Sequence, residues 1–405
     1  ALYYCVRGVS QSGGLGMGRT LGGGSTALAL LFSTSALAQE TGEPALDIGA
    51  TYRVDVSGVV ADGRRMRGFG LDDLNIEADG DLARLVGWKG ARFHIGLLNN
   101  FGGRPNDVAG TLQGVDNIEV ASPRLRLFEI WVEQKLGTAT TLRAGLYDLN
   151  SEFYANGAAG LLLAPAFGVG SEIAATGPNG PSIFPATALA IRLEQRFGEA
   201  GFARVAVLNA SAGALGDDRG SALDFHHGAL LIGEAGVEKD GDKLALGAWG
   251  YTRRQDDVVE TDNAGNPLRR EARGAYVIAE KALGGQGGPF ATSLFVRAGI
   301  SDGRTTPYKG GWQAGLLAAH VMPGRDDSRF SIGVNQAYLS AGYRDLLRGE
   351  GTRTAAAENA IELTYSDRVT SFLTLQPDLQ LIWNRGGDAD APRVTVITLR
   401  TTLEF

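Results

Sequence analysis

Cysteine is nearly missing from this 405-residue chain, with Cys5 the only one, and histidine (4) and methionine (3) are scarce. Long apolar runs are missing too. Beyond residue 38 no stretch approaches the roughly 18 apolar residues that a spanning helix needs. The longest, residues 158–169, is broken by Gly160, Pro165 and Gly168 and reads as a loop. An apolar fraction of 44% and a mean hydropathy of −0.05 are too low for a helical membrane protein. No His-Glu-x-x-His pattern is present, and Gly22-Gly23-Gly24-Ser25-Thr26 lacks the lysine of a phosphate-binding loop. His226-His227 has no third or fourth ligand near it in sequence, whereas a metal site needs that many converging groups. Nothing here points to an enzyme, a cofactor or a bound metal.

The first 38 residues have their own pattern. Arg19 precedes an apolar segment at 27–32, and Ser35-Ala36-Leu37-Ala38 closes it with small residues. That is the layout of a secretory signal peptide ending at Ala38, the alternative being an anchor helix for which the run is too short. Residues 1–16, upstream of Met17, read as an extension that is not part of the mature protein. The expected organisation is therefore 1–16 extension, 17–38 signal peptide and 39–405 one domain. Losing Cys5 with the leader excludes disulfides, thiolate catalysis and thiolate metal sites in what remains. Losing Arg7 and Arg19 takes the formal net charge from −7 to −9, which does not suit nucleic-acid binding.

What the chain does have is one repeated motif, a segment of about ten residues alternating apolar and polar, then a turn. In residues 46–57, Leu46, Ile48, Ala50, Tyr52, Val54 and Val56 share one face, and Asp47, Thr51, Arg53, Asp55 and Ser57 the other. The same alternation recurs around Arg92–His94, Glu129–Glu133, Arg192–Glu194, Ser331–Asn335, Glu362–Ser366 and Thr374–Gln380. A soluble sandwich would alternate as well. The connections separate the two readings: short polar links at 137–139, 198–200, 240–242, 323–327 and 367–368 alternate with long ones at 101–124, 149–185, 213–227, 255–270 and 341–356. Short turns at one end and long loops at the other are the mark of an outer-membrane barrel. The fold expected is all-β: a transmembrane antiparallel β-barrel of about sixteen strands, a number that leaves a water-filled lumen.

The chain closes on Ile397, Leu399, Thr401, Leu403 and Phe405 along one face, an alternating strand ending on an aromatic. This resembles the signal read by the outer-membrane barrel-assembly machinery. Other pieces carry a family likeness: Leu85-Val86-Gly87-Trp88 leading into 91–97; 127–135 followed by 142–145; 293–297; and Glu362-Leu363-Thr364-Tyr365 followed by 373–380. The last holds Gln376-Pro377-Asp378-Leu379-Gln380, an unusual core for a strand because Pro377 cannot donate a ladder hydrogen bond; a bulge or a missing bond is expected there. Over nearly the whole mature chain these pieces resemble the carbohydrate-selective porin (OprB) family. The resemblance implies a sixteen-stranded channel in the cell outer membrane that passes carbohydrates and other small polar solutes. Arg385-Gly386-Gly387 stands where the family usually has Pro-Gly-Gly, and Leu146 where its sugar porins often carry arginine.

A passive channel needs polar groups at its waist that replace part of a solute's hydration, weakly enough to release it. The inward positions of the early strands offer Arg53, Asp55, Glu77, Arg92, His94, Glu129, Trp131, Glu133, Arg143, Arg192 and Glu194 as pore-lining candidates; the alternative for each is plain lumen wall, paired across strands. Arg92, Arg143 and Arg192, with Glu129 and Trp131, are expected near mid-barrel, with Glu129 approaching Arg143 across the turn at Gly137. The loop at 150–185, apolar at 160–169, is expected either to fold into the barrel mouth and narrow it or to pack over a neighbouring subunit. Expected partners are sugars or similar small solutes, outer-membrane lipid and lipopolysaccharide, the assembly machinery, and further copies of the chain in a homotrimer. The competing functions are a general small-solute porin with charge selectivity only, and a barrel enzyme or adhesin.

Overall fold

The computed structural model describes residues 44–213, 225–283 and 290–405. The extension, the signal segment and Cys5 lie outside these residues. The strands are Leu46–Val60 (β1), Arg67–Asp81 (β2), Ala91–Gly102 (β3), Arg124–Leu136 (β4), Thr140–Tyr147 (β5), Ala188–Phe197 (β6), Gly201–Asn209 (β7), Ala229–Lys239 (β8) and Asp242–Tyr251 (β9). They continue as Gln255–Thr261 (β10), Pro267–Arg270 (β11), Arg273–Leu283 (β12), Ala291–Ser301 (β13), Tyr308–Ala319 (β14), Arg329–Leu339 (β15), Ala357–Arg368 (β16), Leu373–Trp383 (β17) and Val394–Glu404 (β18). Each barrel strand pairs antiparallel with its neighbours, and β1 returns to β18 from Thr51↔Glu404 to Val60↔Thr395, so the sheet is closed with no free edge.

Sixteen strands form this barrel. The remaining two, β10 and β11, make a separate hairpin inside the long link between β9 and β12. The alternation read from sequence is the alternation of faces. In β1, Ile48 and Val56 are 63% and 61% exposed on the outside, whereas Asp55 and Ser57 are 0% and 1% exposed on the inside. Outward Phe197, Phe290, Phe372 and Phe405 mark the short-turn end, and Phe101 and Trp383 stand toward the loop end, in the places where aromatic girdles flank an apolar band. The tight turns follow backbone chemistry. Asp240 and Gly241 both have positive φ (52° and 83°), as a two-residue hairpin turn of the primed type demands.

One link differs from the expectation, and at Pro377 one of the two expected forms is found. Residues 367–368 end β16, and the turn that follows is 369–372. Pro377 brings the missing bond rather than the bulge: the register between β16 and β17 is the same on both sides of it, and the ladder lapses between Thr364↔Asp378 and Asp367↔Leu375. The bulge nearest the candidate waist lies between β3 and β4, after Gly96↔Glu129, where Phe128 is the extra residue.

Candidate functional site

Two long loops, residues 103–123 and 148–187, fold into the lumen. The second is the apolar loop, and its interior position selects the first of the two expectations. Apolar surface has no favourable place in a water-filled mouth, so it is buried against the far wall. Ala158, Ala159, Leu162, Ala164 and Phe167 pack together with Phe295 of β13, at roughly 1.5–3 kcal/mol for each large side chain covered. Three short 3-10 turns, Leu149–Ser151, Gly157–Ala159 and Pro165–Phe167, satisfy only part of the loop's backbone. The wall satisfies much of the rest. Glu280 accepts from the N–H groups of Gly157 and Ala158 at 3.1 and 2.6 Å, and Glu362 from those of Leu163 and Ala164, the latter at 3.0 Å. Glu234 accepts from Tyr154 N at 3.0 Å.

The shorter loop is held in the same way. Glu358 of β16 accepts from Leu112, Gln113 and Gly386 N–H groups at 2.9, 3.0 and 2.8 Å. Gln380 donates to Val115 O, and Arg400 of β18 donates to Asn117 Oδ1 at 2.7 Å. The two loops meet where Asn117 N donates to Leu163 O at 2.9 Å and Ser171 Oγ to Gln113 Oε1 at 3.1 Å. Between them and the β1–β2–β18 wall lies a cavity of about 560 Å³, lined among others by Arg53, Asp73, Glu119, Asp148, Asn150 and Phe167.

The early strands form the opposite, charged wall. Glu133 of β4 is its hub. Arg92 donates to it from β3 at 2.8 Å, Arg143 from β5 at 3.0 Å and Arg192 from β6 at 2.5 Å. Arg192 also grips Glu152 of the loop through two bonds of 2.8 and 2.7 Å and donates to Thr141 Oγ1 at 2.6 Å. Trp131 lies between His94, stacked at 5.1 Å, and the Arg143 guanidinium, 3.8 Å from its ring centre. This is a layered cation–π arrangement.

The sequence-selected residues sort into three groups. Arg53, Glu77 and Arg92 stand on the inner face with open side chains: Arg53 pairs Asp73 at 2.8 Å, and Glu77 accepts from Asn75 at 2.7 Å. Glu129 and Glu194 are partly covered; Glu129 accepts from Asp148 N at 3.0 Å, and Glu194 pairs Arg196 and Arg204 at 2.8 and 3.2 Å. Asp55, Trp131, Glu133, Arg143 and Arg192 are on the inner face but buried, at 0%, 7%, 5%, 7% and 2% exposure. His94 belongs beside them at 8% exposure, its Nδ1 3.1 Å from Asp79 Oδ1.

Several expectations need correction. Arg143 and Arg192 are not free to meet a solute, because Glu133 and Glu152 hold them. Arg143 lies opposite Glu133, not Glu129, because the β4–β5 register pairs 133 with 143. Arg92 is the second residue of β3, at the short-turn end rather than mid-barrel. Asp55 is enclosed by Arg400, whose guanidinium is 2.6 Å away and also reaches Asp116 at 3.4 Å.

Sequence reasoning missed the loop groups that face the cavity. Asp148 is pushed up to about 7 by burial and then by the Glu129 carboxylate, with the Asn150 N–H opposing the rise. Glu119 is also pushed up to about 7, chiefly by burial. Their proximity to the wall follows from how the loops fold, which alternation does not encode. A Gly-x-Ser-x-Gly spacing occurs at 299–303. However, Ser301 ends a strand rather than sitting on a strand-to-helix elbow, and its hydroxyl donates to Tyr308 O at 2.7 Å. Among the described residues no group of three or more metal-ligating side chains comes together.

Comparison with known proteins gives one family and a set of barrels. The profile of the carbohydrate-selective porin, OprB family, matches residues 70–405. The fold is similar to Pseudomonas putida OprB at high pH, with a TM-score of 0.78 and 22% identity over 89% of this chain and 94% of that one. It is also similar to Salmonella typhi OmpF in complex with daunomycin, with a TM-score of 0.57 and 11% identity over 89% and 97%. No curated protein sequence matches the chain.

Proposed function

The chain belongs to the carbohydrate-selective porin, OprB family, and we infer from its lumen that it is an outer-membrane porin through which carbohydrates and similar small polar solutes diffuse passively. The observation that supports this most directly is the closed sixteen-strand barrel narrowed by two of its own loops. Sixteen strands are too many for side chains alone to fill, so the loops set how much water-filled space is left. What remains is asymmetric. One side offers paired charges, with Arg53 on Asp73 at the cavity and Arg92 on Glu133 nearer the short-turn end. The other side is the apolar backbone turn carrying Pro165 and Phe167.

That asymmetry suits a sugar. Guanidinium and carboxylate groups hydrogen-bond hydroxyl pairs on one edge, while the C–H face slides past an apolar surface. Each exchange of a water for a wall group is worth only about 1 kcal/mol net, which lets the solute leave as easily as it enters. The buried network of Glu133, Arg143, Arg192 and Glu152 does not touch the solute in this scheme. It fixes the height and orientation of Arg92 and of the loop start.

One observation favours the broader reading of a general charge-selective porin: Trp131, the aromatic best placed for sugar stacking, is covered by His94 and Arg143. Liposome swelling separates the two. Sugars entering faster than amino acids and organic acids of equal size support carbohydrate preference; equal rates for neutral solutes of equal size reduce the function to general diffusion. The rest of this reading concerns export and assembly. It holds that the signal segment is cleaved, so that outer-membrane material begins at or near Gln39, that the assembly machinery reads the terminal strand, and that copies associate as a homotrimer in lipopolysaccharide-bearing membrane.

A further inference from the structure

We propose that Arg297 of β13 is the positioning residue that sets the aperture, acting through the constricting loop and never meeting the solute. This rests on the channel reading above. Arg297 is 0% exposed, although it projects from a strand into what would otherwise be open lumen. Its guanidinium donates to Tyr154 O at 3.0 Å, to Gly168 O at 2.8 Å and to Ala166 O at 3.2 Å. Its Nε donates to Gln313 Oε1 of the adjacent strand at 3.2 Å, and the Tyr154 ring lies 5.1 Å away.

The spacing of the acceptors carries the argument. Tyr154 is on the limb of the loop that leaves β5, and Ala166 and Gly168 are on the limb that returns. One planar, rigid fork of donors therefore ties both limbs to each other and to the wall. A loop fixed at one point can swing, whereas one tied across both limbs cannot open without breaking every bond to Arg297 together.

The wall around Arg297 is shaped as the seat for this clamp. Gly299, two residues along on the same face, lies so close to the loop that a Cβ there would stand 1.8 Å from Glu172 Oε1. At Gly333 of β15 a Cβ would stand 2.6 Å from both Leu162 and Phe167. Phe295 meets Phe167 edge-on at 6.3 Å. Arginine pulls the loop in, and two missing side chains let it lie flat. Charges on this half of the barrel thus serve the loop, whereas on the other half Arg53 of β1 and Arg92 of β3 keep side chains open to the solute. The division predicts two separable properties: size cutoff from one wall, ion selectivity from the other.

The test uses the full channel in planar bilayers and liposomes, with a graded series from mono- to tetrasaccharide. Arg297→Met should raise conductance and admit trisaccharide severalfold faster, with ion selectivity unchanged. Arg297→Lys, which keeps the charge but not the fork, should fall between it and the wild type. Gly333→Ala should act in the opposite sense, pushing residues 162–167 into the lumen and lowering conductance and disaccharide flux. A folded Arg297→Met channel with the wild-type cutoff overturns the proposal. So does a change in ion selectivity alone, which would mean that solutes meet Arg297 directly. If Arg297→Met fails to assemble, Gly333→Ala decides, and an unchanged or raised conductance there overturns the proposal. A wild type that passes no sugar of any size would overturn the channel reading itself.

Discussion

Replacing Glu133 by glutamine tests the charged wall most directly. Glu133 is the shared acceptor of Arg92, Arg143 and Arg192, and Glu152 is the other carboxylate in the cluster. Three guanidiniums against two carboxylates leave one net positive charge; Glu133→Gln leaves two. Arg92 carries that change to the solute, because its side chain is 54% exposed while Arg143 and Arg192 are covered. An ion passing about 8 Å away through water feels roughly 0.5 kcal/mol from one added unit charge. The anion is attracted and the cation repelled, so their permeability ratio should move about fivefold toward the anion. At about 0.1 M salt the screening length is close to 10 Å, which trims the shift to roughly twofold. Glutamine keeps the volume and one acceptor oxygen, and the closed ladder is untouched, so the barrel should still fold. Breaking a buried pair can cost about 3–5 kcal/mol in a dry core; lumen water beside Arg92 keeps the figure here lower. The assay is the reversal potential in a salt gradient across a planar bilayer, at low and high ionic strength. A folded channel with an unmoved reversal potential at low salt would refute the reasoning, as would a shift that does not shrink with added salt.

Asp148 and Glu119, both pushed up to about 7 and both lining the cavity, should make cation preference rise as pH climbs from 6 to 8. Asp148→Asn with Glu119→Gln should flatten that rise, which a pH series of reversal potentials reads. The same groups hold their protons more tightly folded than unfolded, so their contribution to stability is fullest below the unfolded carboxylate range near 4 and is lost as pH rises toward 7; thermal melts of wild type and double variant check this. Gly145→Ala should cost about 1–3 kcal/mol, because φ is +145° and the new Cβ would stand 2.1 Å from Ile130 O beside Trp131; detergent unfolding midpoints measure it. Deleting Phe405 removes the residue that exchanges two backbone bonds with Ala50 at the seam, 2.9 and 3.2 Å, and should lower the amount of assembled barrel without lowering secretion, as outer-membrane fractionation would show.

The sequence alone determined the barrel, its face assignment and its two ends. Each is a local property. A period of two fixes which side chains face lipid, as Ile48 and Val56 do, and turn length fixes which end is which. It also determined the inner face on which Arg92, Glu133, Arg143 and Arg192 stand. It could not say which of them a solute can reach. That depends on register, since a slip of four residues separates the expected Glu129–Arg143 pair from the observed Glu133–Arg143 pair, and on a loop that brings Glu152 over the cluster. Only the tertiary structure decided that residues 148–187 line the far wall, because the contacts holding them run from one long loop to strands as far as 215 positions away, as between Leu161 and Gln376. Backbone N–H groups and carbonyls carry no sequence signature, so a glutamate or arginine that holds a loop looks, in sequence, the same as one that faces water.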